Sequence, residues 1–255
     1  MKVKELYAKL EERIPQELSC SWDNDGLMCC PDPDAEVKRV MIALDITAEV
    51  AERAICEGCN VVLSHHPLIF RPLKALEPGD HVAAKVIRLL CAGVAAMSFH
   101  TRLDAVQGGV NDTLAGALGL TEVEPFGENG EAIGRIGSLR ETVSVGQFAA
   151  EVRRVTGAPF VLAGDAGLPV RRVAVLGGSG SDDVRAAAAA GADTYLTGEL
   201  KHHELTDAPE CGMNLLAAGH FYTEDLVCKA LRQFLSELVP GVETVIVNSN
   251  AVRAL

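Results

Sequence analysis

Aromatic residues are scarce in this 255-residue chain: one Trp, three Tyr and seven Phe, 4% of the total. A core without large rings has to be built from Ala, Val, Leu and Ile, a composition that suits parallel sheets with helices on both faces. Basic residues are also short, with 23 Lys and Arg against 35 Asp and Glu and a formal charge of −12. That balance opposes binding to nucleic-acid polymers, whose affinity comes largely from cations neutralising phosphates. A free nucleotide stays open, because bound metal ions can invert the local field. No apolar run reaches the ~18 residues of a membrane span. The N-terminal MKVKELYAKLEERIP is an amphipathic charged helix rather than a secretory signal. A cytoplasmic protein with no membrane partner is expected.

Several catalytic signatures are missing too. There is no Gly-Lys-Ser/Thr of a phosphate loop, no G-x-G-x-x-G fingerprint and no G-x-S-x-G elbow. The eight cysteines are scattered and are expected to be thiols. Cys56 and Cys59 form one isolated CxxC, read as two small apolar residues at a helix end rather than a redox or zinc pair. A hydrophobic content of 48% and a mean hydropathy of +0.17 exclude a disordered chain.

What the chain has is alternation of strand and helix. Strands are predicted over Val37–Asp45, Asn60–Ser64 and Val94–Phe99. Helices are predicted from an N-cap at Thr47 to near Gly58, over His81–Cys91 and over Val110–Leu118. The Gly-, Glu- and Pro-rich stretch Gly119–Gly130 reads as a boundary. Beyond it, strands follow at Ile133–Leu139, Arg171–Leu176, Thr194–Thr197, Asn214–Ala217 and Thr244–Val247. The accompanying helices start at Val145, capped by Ser144, and cover Asp182–Ala190 and Thr223–Leu238. This βαβ grammar implies an α/β fold with mainly parallel sheets and right-handed crossovers. The expected division is 1–123 and 124–239, with 240–255 adding a strand to the first.

Two segments also align without gaps at a shift of 133 residues, from Val40–His66 to Val173–Glu199. Gly58 meets Gly191, Asn60 meets Asp193 and Ser64 meets Thr197. Both read as strand–loop–helix–Gly–strand, which favours a duplicated architecture over chance likeness.

Six of the seven histidines fall in four short motifs: His65-His66, His100, His202-His203 and His220. SHHP follows an apolar strand. Adjacent extended residues point to opposite sides, so His65 and His66 are expected to serve two neighbouring ions rather than chelate one, or else to cap a sheet edge. His100 and Asp104 follow the next strand. His220 and Glu224 stand four apart at the start of the long helix, on one face. A lone H-x-x-x-E is more often a surface pair, but the motifs together supply imidazoles and carboxylates just after apolar strands. That mixed N/O set fits Zn, Fe or Mn and lacks the thiolates of a structural zinc site. Two carboxylates suit a bridged pair of metal ions that activates water.

Glu199, His202 and His203 in TGELKHHE are candidates for orienting ligands or for acid–base work, alongside His100, with a charged helix start as the plainer account. Gly178 and Ser179, within GGSGS, could cradle an anion with backbone N–H groups. Trp22, Asp23 and Asn24 are candidates to line a substrate pocket, with Trp22 either a stacking surface for a base or a packing residue.

SWDNDGL (Ser21–Leu27), SHHP (Ser64–Pro67), HTRLD (His100–Asp104), TGELKHHE (Thr197–Glu204) and GHFYTE (Gly219–Glu224) occur in the order seen in the GTP cyclohydrolase I type 2 homologues, the NIF-three-like family. The chain resembles that family over its whole length. The resemblance implies a dinuclear metal centre held by His65, His66, Asp104, His220 and Glu224. It also implies two similar interlinked α/β subdomains with the metal site between them, and a ring-shaped homohexamer. The implied activity is metal-dependent hydrolysis of a small, anionic, nucleotide-like substrate. The competing class is a non-enzymatic metal-binding adaptor, chaperone or scaffold.

Overall fold

A computed structural model describes residues 1–127 and 132–252. Residues 128–130 of the expected boundary, and the last three residues of the expected 240–255 addition, lie outside the described residues. The chain divides into two compact units: Met1–Val106 with residues 227–252, and Gln107–Leu226.

The first unit opens with α1 (Val3–Arg13), which buries Val3, Leu6 and Leu10 along one stripe. It continues through β1 (Gly26–Cys29), β2 (Arg39–Ala43), α2 (Ala48–Cys56), β3 (Val61–Ser64), α3 (His81–Cys91), β4 (Ala95–Ser98) and the short α4 (Thr101–Ala105). In the second unit come α5 (Val110–Ala117), β5 (Thr121–Phe126), β6 (Gly134–Val143), α6 (Val145–Thr156), β7 (Leu162–Gly164) and β8 (Val170–Leu176). There follow α7 (Val184–Ala189), β9 (Thr194–Thr197), α8 (His202–Thr206), α9 (Ala208–Cys211), β10 (Asn214–Ala217) and α10 (His220–Glu224). The first unit is then completed by α11 (Val227–Leu238) and β11 (Glu243–Ile246).

The sheets run β1-β4-β3-β2-β11 and β5-β6-β8-β9-β10-β7. In each, three central strands are parallel, and the strand outside β4 or β10 is antiparallel. The fold is thus α/β, with two similar units and mainly parallel strands. Core positions alternate along the strands, as a two-sided buried sheet requires. Val173, Val175, Leu196 and Leu216 face one cluster, while Ala174, Leu176, Tyr195 and Leu215 face the other.

The duplication extends to individual hydrogen bonds. Val40 pairs with Val61 and Ser64 with Ala43; at the same shift Val173 pairs with Thr194 and Thr197 with Leu176. The Asn60 side chain accepts from the backbone N–H of Lys38 and Arg39, and the Asp193 carboxylate accepts from those of Arg171 and Arg172. Gly58 and Gly191 both end their helices in the left-handed region, at φ +70° and +82°. The third strands, β4 and β10, correspond at a shift of 119 residues (Ala95 to Asn214), and each leads into a five-residue helix. The helix after that one crosses over in both halves. α5 packs in the second unit on β6 and β8, and α11 packs in the first on β11 and β2.

That crossing explains the main departure from the sequence reading. The expected helix Thr223–Leu238 is interrupted at Asp225–Leu226, where the chain leaves one unit for the other. His220 and Glu224 therefore sit on a short helix of their own. The expected helix Asp182–Ala190 likewise begins as a 3-10 turn, Ser181–Asp183, before α7.

Candidate metal centre

In the first unit the chemistry gathers at the carboxyl ends of β2, β3 and β4, where open α/β sheets place their ligands. His65 and His66 follow β3 in a bend rather than on the ladder, so the alternation rule for strands does not govern them. Their rings are 5.0 Å apart, and His100 lies 5.3 Å from His65 and 5.8 Å from His66. One ligand atom from each of the three lies within 4.8 Å of the others. This cluster could hold a metal ion.

Each ring is held through Nδ1. That of His65 donates to the Phe99 carbonyl at 3.0 Å, that of His66 to Asp45 Oδ1 at 2.7 Å and that of His100 to Asp23 Oδ1 at 2.8 Å. Carbonyls and ionised carboxylates only accept. The proton is therefore on Nδ1, and Nε2 presents its lone pair on the far side of each ring, the arrangement of metal-ligating histidines. Asp104, on α4, brings Oδ1 to 3.8 Å from His65 Nε2. That is too long for a hydrogen bond and suits two ligands of one ion, whose ~2.0–2.2 Å bonds put neighbouring donors roughly 3–4 Å apart.

The frame around His100 is rigid. Asp23 Oδ2 accepts from the Thr101 hydroxyl at 2.7 Å and its backbone N–H at 3.0 Å. Burial works to raise the Asp23 pKa, but these bonds and the His100 partner outweigh it and hold the carboxyl well below its ordinary range. Asp25 Oδ2 accepts from the His100 backbone N–H and from Arg102 Nε, both at 3.0 Å. Arg102 is itself buried, paired also with Glu11 and stacked on Phe99, so α1 and α4 are tied to one loop.

Trp22 is not a packing residue: it is 61% exposed, and its ring meets the edges of Phe70 and His100 at 6.2 Å each. Phe70, 46% exposed, lies 6.0 Å from His100. The Asn24 amide donates to the Ile69 carbonyl. It thereby pins the Trp22 loop to the Phe70 loop.

In the second unit, His220 Nε2 and Glu224 Oε2 are 3.1 Å apart, and Glu199 Oε1 is 3.2 Å from His220 Nδ1. Glu199 thus does for His220 what Asp45 and Asp23 do for their histidines. His202 and His203 open α8 and are exposed. Among the described residues no hydrogen bond, ion pair or ring contact joins His202 to His220 or Glu224.

The GGSGS loop does not have the form of an anion cradle. The N–H of Gly177 donates to Asn111 Oδ1, that of Gly178 to Thr223 Oγ1 and that of Gly180 to Thr197 Oγ1. Donors spent inside the protein are not offered to a phosphate. Ser179 is left exposed on the loop surface. Gly178 is required for another reason: a Cβ there would stand 2.1 Å from Glu224 Oε1 and 3.1 Å from His220 Nε2, at φ +67°. The glycine makes room for the His220–Glu224 pair.

Sequence reasoning missed Asp45. Its only signal was an acidic residue directly after the apolar run VMIAL.

The two units, with imidazoles and carboxylates at strand ends and His65, His66, His100 and His220 each backed by an oxygen acceptor, belong to an α/β protein with candidate metal-binding His, Asp and Glu residues. The model of the DUF34/NIF3 family (NGG1p interacting factor 3) matches residues 1–252. The chain belongs to that family. It is 31% identical over 230 residues to a GTP cyclohydrolase 1 type 2 homolog of Clostridium acetobutylicum, covering 88% of this chain and 85% of that protein. It is 32% identical to the NGG1-interacting factor 3 of Saccharomyces cerevisiae, covering 87% and 83%. The crystal structure of the Staphylococcus aureus hypothetical protein SA1388 superposes with a TM-score of 0.89 at 26% identity, over 100% of this chain and 99% of that one. No described helix is long and apolar enough to cross a membrane.

Proposed function

We propose that the protein holds two divalent metal ions, of the Zn, Fe or Mn type, on His65, His66, Asp104, His220 and Glu224, and hydrolyses a small, anionic, nucleotide-like substrate. The observation that carries this reading is the oxygen acceptor behind Nδ1 of His65, His66, His100 and His220, three of the four acceptors being carboxylates. A surface histidine has no need of such backing, whereas a ligand histidine gains fixed orientation and basicity from it. The donor set fits the ions chemically, being nitrogen and oxygen with no thiolate.

When bound, divalent ions supply acidified water and electrostatic stabilisation of the oxygens on which charge develops. The chain supplies the rest. His100, with its proton fixed on Nδ1 by Asp23, offers Nε2 as a proton acceptor, the geometry of a general base. Glu199 orients His220. Trp22 and Phe70 form a preset aromatic surface beside His100 for the planar part of the substrate, and Asn24 holds that surface together. A homohexamer in the cytoplasm belongs to the same reading, in keeping with the family resemblance.

Elemental analysis of freshly purified protein, paired with Glu224→Ala, tests it. About two ions per chain, falling in the variant, are expected, followed by hydrolysis when GTP and other nucleotides are screened. No metal in either protein, even after addition of Mn, Fe or Zn, sinks the reading. The yeast relative's name, an interacting factor, favours a second reading in which the ions serve a non-enzymatic partner protein. Asp104→Ala bears on the first reading: loss of metal with the cellular role intact counts against the hydrolase.

A further inference from the structure

β11 pairs with β2 in parallel, and the Val247 N–H continues the ladder to the Ile42 carbonyl at 2.9 Å. The chain then passes over the carboxyl end of β2, where Asp45 stands. Ser249, only 7% exposed, meets Asp45 twice there. Its Oγ accepts from the Asp45 backbone N–H at 3.1 Å and donates to Asp45 Oδ2 at 3.3 Å. The other oxygen of the same carboxylate accepts from His66 Nδ1 at 2.7 Å. The tail is braced on both sides of this contact. Asn248 Oδ1 accepts from the Asn250 N–H at 2.8 Å, and Asn250 Oδ1 accepts from the Val252 N–H at 2.9 Å, two successive Asx turns.

We propose that Ser249 is a positioning residue for the metal site: by clamping Asp45 it sets the orientation of His66 and hence the affinity of the ion that His66 binds. The proposal rests on the reading of His66 as a ligand. A hydroxyl suits the role because it accepts and donates at once, so a single side chain fixes both the backbone and the carboxylate of Asp45. Half of the carboxylate is then turned toward His66. Without the clamp, the Asp45 side chain would gain rotamer freedom, and His66 would lose a fixed partner for Nδ1. At the matching places the second half carries different residues. The residue matching Asp45 at the 133-residue shift is Gly178, and Glu199, matching His66, reaches His220 directly.

The test is a titration of the full-length metal-free protein with Co(II), followed by visible absorption in competition with a chelator. Wild type, Ser249→Ala and Ser249→Thr are compared, with thermal unfolding of each metal-free protein alongside. The expected result is two equivalents in wild type and an affinity about tenfold lower for one of them in Ser249→Ala, within the range for groups that orient a ligand. The other equivalent should keep its affinity and Ser249→Thr should recover the first, because Thr retains Oγ. Two unchanged equivalents in Ser249→Ala overturn the proposal and leave the ligand reading standing. Equal weakening of both, in step with a lower unfolding temperature, also overturns it, as the mark of a merely structural tail. A wild type that takes up no Co(II) overturns both the proposal and the ligand reading.

Discussion

The two halves share a backbone and differ in what they hang on it. Strand registers, helix-ending glycines and the side chains that accept from strand-end amides coincide at one shift from Lys38 to Thr197. The donors do not. After β3 the first half carries His65-His66; at the matching place the second carries Gly198-Glu199. On the short helix the first half offers Asp104, and the second offers His220 and Glu224 at the places of Thr101 and Ala105. Even the orienting carboxylate has changed sides: Asp45 precedes the histidine it holds, whereas its counterpart is Gly178 and the task falls to Glu199. A duplicated scaffold therefore provides equivalent strand ends, and the two copies have been filled in with complementary chemistry.

The largest effect should come where the halves differ most. Gly178→Ala places a methyl against Glu224 at a left-handed φ, a strain absent at Asp45, and is expected to cost about 2–4 kcal/mol together with metal uptake. Urea unfolding measures it, and a loss below ~1 kcal/mol would mean that Glu224 moves aside freely. Where the halves coincide, paired variants should match. Asn60→Ala and Asp193→Ala each strand two backbone N–H groups and should each cost about 1–2 kcal/mol. A clear inequality in the same urea experiment would show that the shared geometry bears unequal load. Smallest are Gly58→Ala and Gly191→Ala, each in open space, so that only the left-handed backbone is penalised, by about 1 kcal/mol. A difference between them larger than the measurement error would break the equivalence.

Much of this was legible in order along the chain. Apolar runs bounded by caps predicted β2, α2, β3, α3 and β4 to within a few residues, because each element's pattern is local. The repeat was visible because Gly58, Asn60 and Ser64 have counterparts at one spacing. Short elements escaped notice: β1 and β7 are edge strands with weak patterns, and α4 is a single turn. The histidine motifs marked the donors, yet their mutual geometry was read from strand alternation, and the bend at His65-His66 removes that premise. GGSGS was read as a loop offering N–H groups, and the amides prove to be consumed by Asn111, Thr223 and Thr197.

The sequence alone determined the α/β class, the duplication and the residue types at the strand ends, because propensity, capping and period are properties of neighbours. Only the tertiary structure decided which acceptor stands behind each imidazole: Phe99 for His65, Asp23 for His100 and Asp45 with Ser249 for His66. It also decided that the long helix is broken so that its halves serve different units. Those choices join residues up to 204 positions apart. They follow from how strands order themselves in a sheet, which local pattern does not encode.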